Sequence, residues 1–390
     1  MEKKDLAVSR IGINAESYAN NIRFLRKAIA GTSELCLVVK ANAYGHGSRT
    51  MTQLAQSFGV KVFAVSDVSE AFEIYDLINP ESRLIIMGDS SGGMEWAIKH
   101  GVEFYIYNPG LLKQAQKIAQ SSGRTAKVHF ELETGMNRLG LEASEIDEAV
   151  ETLASGNIEL MALCTHFAGA ESITNFVRVT KQIKIFSERC RKIETLLGKK
   201  IAKHAACSAA ALRFKNTRFD MIRIGILQYG FWPNQETRIN YLMDRKNQND
   251  PLRRVLTWKS HVMALKAANI GQYIGYGTSY LVEAKKKFAI IPIGYSSGFA
   301  RSLSNQGRVL IGGKQAKVAG VVNMNALTVD VTDLPKVSIG DEVVLIGTQG
   351  EQTITVASFG DYSNQLNYEL LARLPQDIPR VVSNKMEAKV

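Results

Sequence analysis

The sequence predicts an α/β protein in two parts: an N-terminal (β/α)8 TIM-type barrel over residues 1–240 and a mostly β C-terminal domain over residues 241–390. Three observations predict it. Between residues 35 and 224, eight short apolar runs alternate with helical patterns, which suits parallel strands buried on both faces. The alternation breaks in a polar, irregular stretch, Phe231–Pro251. From Leu252 onward the residues alternate with period two and glycines punctuate the runs, the pattern of antiparallel strands with one face buried. Eight strand-and-helix units in one block favour a closed barrel over an open sheet.

Taken in order, Ala15–Ala30 places Tyr18, Ile22, Leu25 and Ile29 on one helical face, with Gly31 as its stop. The eight runs are Leu35–Val39, Lys61–Val65, Leu84–Met87, Val102–Tyr107, Ala126–Leu132, Leu160–Cys164, Ile201–Ala206 and Met221–Ile224. Helical patterns between them include Met51–Phe58, Leu111–Gln120, Ile146–Ala154 and Thr174–Leu197. The second domain offers strands at Val255–Ala264, Phe288–Ile293, Val309–Ile311, Ala316–Val322, Leu327–Val331, Glu342–Ile346 and Thr353–Ala357. A helical pattern, Tyr368–Leu374, then precedes Arg380-Val381-Val382 and a polar tail.

Composition narrows the class. With 45% apolar and 22% charged residues and no low-complexity tract, the chain reads as a soluble globular protein. No apolar run is long enough to span a bilayer, and MEKKDLAVSRIGIN carries charges but no apolar core of a signal peptide, so a cytoplasmic location and no membrane partner are expected. Cys36, Cys164, Cys190 and Cys207 lack metal-ligand spacing, so reduced thiols and no metal are expected. The net charge of +11 comes without a basic stripe interleaved with aromatics, which argues against nucleic acid. An anionic cofactor and a carboxylate substrate fit that charge equally well.

Barrel enzymes place their chemistry at the C-terminal ends of the strands, and the polar residues of this chain collect there. Lys40 and Tyr44 follow the first run, Glu131 lies in the fifth and Arg138 after it, and His166 follows the sixth. His204 and Ser208 sit at the seventh run, and Arg223, Gly225 and Ile226 at the eighth. A lysine at the end of a buried strand has a lowered pKa and a nucleophilic amine, unless its stem carries the charge out to solvent. Each of the others has an ordinary explanation alone: His166 and His204 as satisfied core histidines, Arg138 as a surface ion pair, Ser208 as a helix cap, Tyr276 and Tyr368 as half-buried tyrosines. Their convergence on one rim is what those explanations do not predict.

The string VVKANAYGHG, residues 38–47, resembles the pyridoxal-phosphate lysine motif of the alanine racemases, and the resemblance extends over essentially the whole chain. It implies a pyridoxal-phosphate-dependent isomerase that racemises alanine, supplies D-alanine for cell-wall peptidoglycan, and works as a homodimer with shared sites. The barrel would be the cofactor-binding domain, and the β domain would contribute to the partner subunit's site. Lys40 would hold the cofactor as a Schiff base and act as the base on one face of the substrate. Tyr276, in IGYGTSY, would act on the other face from the second subunit. Tyr44, Ser208, Tyr368, Gly225 and Ile226 would hold the phosphate, and Arg138 and Met324 would meet the substrate carboxylate. Arg223 would face the ring nitrogen and, relayed through His166 and His204, would favour tyrosinate at Tyr276. A guanidinium neither accepts a proton nor gives one up, so the ring nitrogen would stay unprotonated, the carbanion would be less delocalised and transamination would be disfavoured.

The chain departs from the family's pattern in places. Met324-Asn325 stands where a methionine–aspartate pair is usual, and Gly294-Tyr295-Ser296-Ser297-Gly298 also lacks its acid, though Arg301 follows as expected. Both departures bear on preference for alanine over serine. The segment Asn234–Leu252 is longer than the resemblance leads one to expect. Glu131 occupies the position, seven before Arg138, at which many members carry a carbamylated lysine, so a permanent carboxylate orienting Arg138 is expected there, the alternative being a structural ion pair at the strand end. Rival readings are a broader serine or basic-amino-acid racemase, a barrel-plus-β decarboxylase, and a pyridoxal-phosphate carrier. IGYGTSY argues against the carrier, and the absence of any cysteine after Cys207 argues against the decarboxylase.

Overall fold

The computed structural model describes residues 7–28, 31, 33–154, 156–243, 245–246, 248–363 and 367–383. The chain forms two compact units, one of residues 17–41 and 51–253, the other of residues 1–16, 42–50 and 254–390. The first strand, β1 (Arg10–Asn14), belongs to the second of these.

The larger unit is the expected barrel. Its strands are β2 (Glu34–Val38), β3 (Val62–Val65), β4 (Arg83–Ile86), β5 (Glu103–Ile106), β6 (Ala126–Glu131), β7 (Ile158–Cys164), β8 (Lys203–His204) and β9 (Met221–Ile224). They pair in parallel from β2 through β8 in sequence order, with β9 beside β2. The remaining gap is closed by two backbone bonds, Asp220 N–H to Lys203 O at 3.0 Å and Arg223 N–H to Ala206 O at 2.9 Å. The run Ile201–Ala206 yields only two residues of strand because it meets one neighbour regularly and the other through these two bonds alone. Burial of every residue of Val62–Val65 explains its unbroken apolar composition, and Met221–Ile224 is as fully buried although it carries Arg223.

The first helix runs Ala15–Ala28 and buries Tyr18, Ile22 and Leu25; the expected extension through Ile29 and Ala30 lies outside the described residues. Its Tyr18 hydroxyl donates to Gln228 Oε1 at 3.0 Å, and Gln228 Nε2 donates to Val38 O at 3.0 Å and Ile224 O at 3.1 Å. One buried amide thus satisfies the last carbonyls of β2 and β9.

Phe231–Pro251 is not simply a linker: it holds a helix, Gln235–Met243. Asn234 Oδ1 accepts from Thr237 N–H at 2.8 Å, so a residue that reads as loop is a helix cap. Tyr241 packs against Phe24 and Trp232, with ring centroids 5.4 and 5.3 Å away. Aromatic packing on the barrel helix overrides the polar composition.

The second unit is a ten-stranded sheet. Its later strands are β10 (Leu256–His261), β11 (Ala264–Ala268), β12 (Lys286–Ile291), β13 (Arg308–Ile311), β14 (Lys314–Val318), β15 (Leu327–Asp330), β16 (Glu342–Gln349), β17 (Gln352–Ile354) and β18 (Arg380–Ser383). The order is β11-β12-β15-β14-β13-β16-β10-β1-β18, with β17 added to β16. The expected strand Thr353–Ala357 ends early because a helix, Val356–Ser363, begins within it. The expected helix at Tyr368–Leu374 is Asn367–Ala372.

Segment 42–50 is tied into the sheet unit through Arg380, whose Nη2 donates to Gly45 O at 2.9 Å and whose Nη1 donates to Pro375 O and Ile378 O, each at 2.6 Å. A Cβ on Gly45 would lie 1.9 Å from Leu371 O, and its φ is +79°. Gly45→Ala is therefore expected to destabilise the protein by about 3 kcal/mol, from overpacking plus left-handed backbone strain. At Gly123, a helix C-cap at φ +62° with nothing within 4 Å of an added Cβ, alanine should cost only about 1 kcal/mol. Urea midpoints of the two variants check the difference.

Candidate active site

The chain leaves β2 through Val39, whose N–H still donates to Ala64 O at 2.9 Å, and then turns. The turn is Lys40–Tyr44, a segment that reads as loop. Ala41, Asn42, Ala43 and Tyr44 have φ between +51° and +52°, a single left-handed helical turn built without glycine. Such backbone costs about 1–2 kcal/mol per residue and persists only where its surroundings fix it. Glu70 fixes the start: its carboxylate accepts from Ala41 N–H at 2.6 Å and from Ser66 N–H at 2.7 Å. Farther along, Asn42 Oδ1 accepts from Ser48 N–H at 2.9 Å and Asn42 O from Gly47 N–H at 2.9 Å. Sequence reading missed Glu70, since its role depends on a backbone conformation that no local pattern announces.

Lys40 is half-buried, and among the described residues no carboxylate pairs with its ammonium. Burial lowers its pKa, the Arg138 and Arg223 charges lower it further, and Glu70 opposes them. His166 is held down to about 3 by burial and by the charges of Arg223, Arg138 and Lys40. These four expected residues thus share one electrostatic neighbourhood at the strand ends. Gly225 N–H donates to Ser208 Oγ at 3.1 Å, which joins two more of them. Ile226 follows, buried, in a short 3-10 turn.

Arg223 is 5% exposed. Its Nη1 donates to His204 Nδ1 at 2.6 Å and His204 O at 2.9 Å, and its Nη2 to Thr165 O at 2.8 Å and Ala205 O at 3.3 Å. Four of the five guanidinium N–H bonds are thereby used, and the fifth, on Nε, has no acceptor among the described residues. The relay expected from Arg223 runs through His166 and His204. His204 touches Arg223 directly, but the next histidine is His129, whose Nδ1 lies 2.8 Å from His204 Nε2. The His166 ring has no such contact among the described residues, because it sits past the end of β7 while His129 lies inside the barrel, on β6.

Glu131 ends β6 and is 6% exposed, and its Oε2 has no hydrogen-bond partner among the described residues. Burial raises its pKa, while Arg223 and, less strongly, Arg138 pull it down. Arg138 is exposed, on a loop closed by Leu141 N–H to Glu131 O at 2.7 Å and organised by Glu133, which accepts from Gly135 N–H and Asn137 N–H. No direct Glu131–Arg138 ion pair occurs among the described residues; the coupling is through space.

The remaining candidates lie in the sheet unit. Tyr276 tips a tongue, residues 271–282, whose base is held by Gly271 N–H to Val282 O and Val282 N–H to Gln272 O, both 2.8 Å. Ile274 and Tyr280 pack into a small core with Val282 and Phe288, whereas Tyr276, between Gly275 and Gly277 at φ +73° and +68°, is 75% exposed. Met324 is 57% exposed, and its carbonyl accepts from Ser296 N–H at 3.0 Å and Ser296 Oγ at 2.7 Å. Gly294 is required beside it, because a Cβ there would lie 2.1 Å from Asn323 O. The rings of Tyr44 and Tyr368 are brought together, with centroids 6.1 Å apart. Among the described residues there is no cluster of metal-binding side chains and no helix long and apolar enough to cross a membrane.

His46, His129 and His204 are fully buried, and burial holds each below the ordinary histidine range, His46 at about 4. The unfolded chain takes up these protons near pH 6.5 while the native protein refuses them, so their contribution is complete above pH 6.5 and is lost as pH falls. Glu103 would be raised by burial, but hydrogen bonds from His129 and Arg83 hold it at about 2. It adds a second loss below its ordinary value of 4.5. The urea midpoint should be level between pH 8 and about 7 and should fall steadily from about pH 6.5 to 5. A midpoint unchanged at pH 5 would contradict neutral buried histidines.

Comparison with known proteins places these residues in a family. Residues 13–233 match the family model for the alanine racemase N-terminal domain, and residues 255–382 match that for the C-terminal domain. An alanine racemase of Leptospira interrogans is 33% identical over 380 residues, covering 97% of each chain. The solved alanine racemase of Clostridium difficile 630 superposes with a TM-score of 0.89 at 27% identity, covering 97% of this chain and 96% of that one. The Bartonella henselae alanine racemase, solved with covalently bound pyridoxal phosphate, superposes at 0.82 over 97% of this chain and 100% of that one, and at 24% identity it speaks for the fold alone.

Proposed function

The chain belongs to the alanine racemase family, and from that premise we propose that it interconverts L- and D-alanine with Lys40 and Tyr276 as the two proton-transferring side chains. The enzymes of this family are isomerases that use pyridoxal phosphate, and the residues present fit that cofactor. The observation that carries the reading is the pairing of a half-buried lysine, its pKa lowered and its ammonium without an acid partner among the described residues, with a buried arginine that keeps one N–H unclaimed. Ser208 and Gly225, 3.1 Å apart, would hold the phosphate with Ile226, Tyr44 and Tyr368. When bound, the cofactor supplies an electron-withdrawing ring that stabilises negative charge on the substrate α-carbon.

The chain's own residues would do the rest. Arg223 would offer its Nε–H to the ring nitrogen and surrender no proton, which would keep negative charge at the carbon to be reprotonated. Lys40, neutral more readily than a solvated lysine, takes or returns the α-proton on one face. Tyr276, exposed on its tongue, serves the opposite face in the site of a second copy of the chain. Arg138 meets the substrate carboxylate with a guanidinium fork, and Met324 from a second copy of the chain would offer backbone contacts to it. Glu131 would supply the anion that orients Arg138 through space. The D-alanine formed would go to peptidoglycan. The Ser296 hydroxyl is engaged by Met324 O at 2.7 Å, which favours alanine over a reading in which Ser296 binds a substrate hydroxyl.

Borohydride reduction of the holoenzyme should fix the cofactor to the peptide that contains Lys40, and a label on another lysine would refute the assignment. Mixed Lys40→Ala and Tyr276→Phe subunits, each inactive alone, should regain part of the activity if sites are shared. Glu131→Gln should raise KM by ~10-fold with little change in kcat, and activity should survive removal of carbon dioxide and bicarbonate. Kinetic parity of Glu131→Gln with the parent would show that this carboxylate does not orient Arg138.

A further inference from the structure

Behind Arg223 a chain of side chains crosses the barrel interior. His204 Nδ1 lies 2.6 Å from Arg223 Nη1, and His204 Nε2 lies 2.8 Å from His129 Nδ1. His129 Nε2 lies 2.7 Å from Glu103 Oε2. Arg83 Nε and Nη2 grip Glu103 at 2.8 and 2.9 Å, and Arg83 Nη1 reaches the partly exposed Glu34 at 2.9 Å. His204 and His129 are wholly buried, and Glu103 is 2% exposed.

The two ends permit only one arrangement of protons. An arginine only donates, so His204 Nδ1 must accept and its proton sits on Nε2. His129 Nδ1 must then accept as well, so its proton sits on Nε2 and goes to Glu103, a carboxylate that only accepts. A second proton on either ring would set donor against donor. Reversing the His204 tautomer would set donor against donor at Arg223, and reversing that of His129 would set a bare nitrogen against the Glu103 carboxylate, acceptor against acceptor. We propose that Glu103 and His129 are positioning residues for the racemase: through the tautomer of His204 they fix the plane of the Arg223 guanidinium and so aim its free Nε–H at the site. Neither residue touches the reacting atoms. The catalytic consequence rests on the function proposed above, whereas the proton order does not.

Two variants at one position separate acceptor from charge. Glu103→Gln removes the charge but keeps an amide oxygen for His129 Nε2–H, and Arg83 retains Glu34. Glu103→Met removes both charge and acceptor, so the order imposed from Arg223 would bury the His129 Nε2–H without a partner, and that cost opposes the order. Nitrogen-15 shifts of the histidine rings, read without cofactor, should show protonated Nε2 and bare Nδ1 on both His129 and His204 in the parent and in Glu103→Gln. Glu103→Met should show mixed tautomers. In the holoenzymes kcat should stay within about threefold for Glu103→Gln and fall ~10-fold or more for Glu103→Met, with KM little changed, the loss expected for one hydrogen bond to a charged group. Equal kcat losses in the two variants, or parent rings protonated on Nδ1, would overturn the proposal. Parent rings ordered as assigned, in a protein whose Lys40 takes no label, would support the chain and refute only the reading of the site.

Discussion

The interior of the barrel is arranged around one buried cation. Arg223 cannot lose its proton, and among the described residues no carboxylate touches it, so its charge must be met by dipoles. The carbonyls that meet it belong to Thr165, Ala205 and His204, at the ends of β7 and β8, which is where a parallel barrel leaves carbonyls without a ladder partner. The charge then governs its neighbours. It pushes His204 and His166 further from protonation and pulls Glu131 and the Cys36 thiol downward against the larger effect of burial. The result is a rim of neutral imidazoles and guanidinium groups around a half-buried Lys40 whose pKa burial and those charges lower.

The left-handed turn after β2 is the second constraint. Four consecutive residues with side chains hold φ near +52°, a conformation that local sequence preference opposes. The opposition is overcome by bonds at particular atoms, Glu70 to Ala41 N–H and Asn42 to Ser48 N–H. Strain of this kind, kept in place immediately beyond Lys40, fixes where the lysine stem leaves the backbone.

Much of this was legible in the sequence, and the remainder failed to be legible for definable reasons. An apolar run such as Val62–Val65 announces a buried parallel strand because every side chain in it is covered. Lys40, Arg138, His166, His204 and Arg223 stand out because charge at a strand end is costly unless used. Glu103 and Arg83 do not stand out, because an acid and a base at the bottoms of neighbouring strands read like any surface pair until the register places Glu103 beneath His129. The helix Gln235–Met243 was hidden by its polar composition, since one of the two rings that hold its Tyr241, Phe24, is far from it in sequence. Arg380 reads as a tail residue, and its role consists wholly of backbone carbonyls, which leave no trace in composition.

The position of β1 has a consequence for synthesis. Arg10–Asn14 lies in the sheet between Leu256–His261, which it meets antiparallel, and Arg380–Ser383, which it meets in parallel. It leaves the ribosome about 245 residues ahead of the first partner and about 370 ahead of the second. At about 5–20 residues per second the nascent strand waits roughly 10–50 s for one ladder and roughly 20–70 s for the other. Throughout that interval the barrel segments 17–41 and 51–253 are already being made, while an apolar strand with both edges open precedes them in the same nascent chain. The sheet unit is thus completed after the barrel segments, by Arg380–Ser383, and a ribosome that stops short of Arg380 releases a protein in which Arg10–Asn14 keeps one edge unpaired.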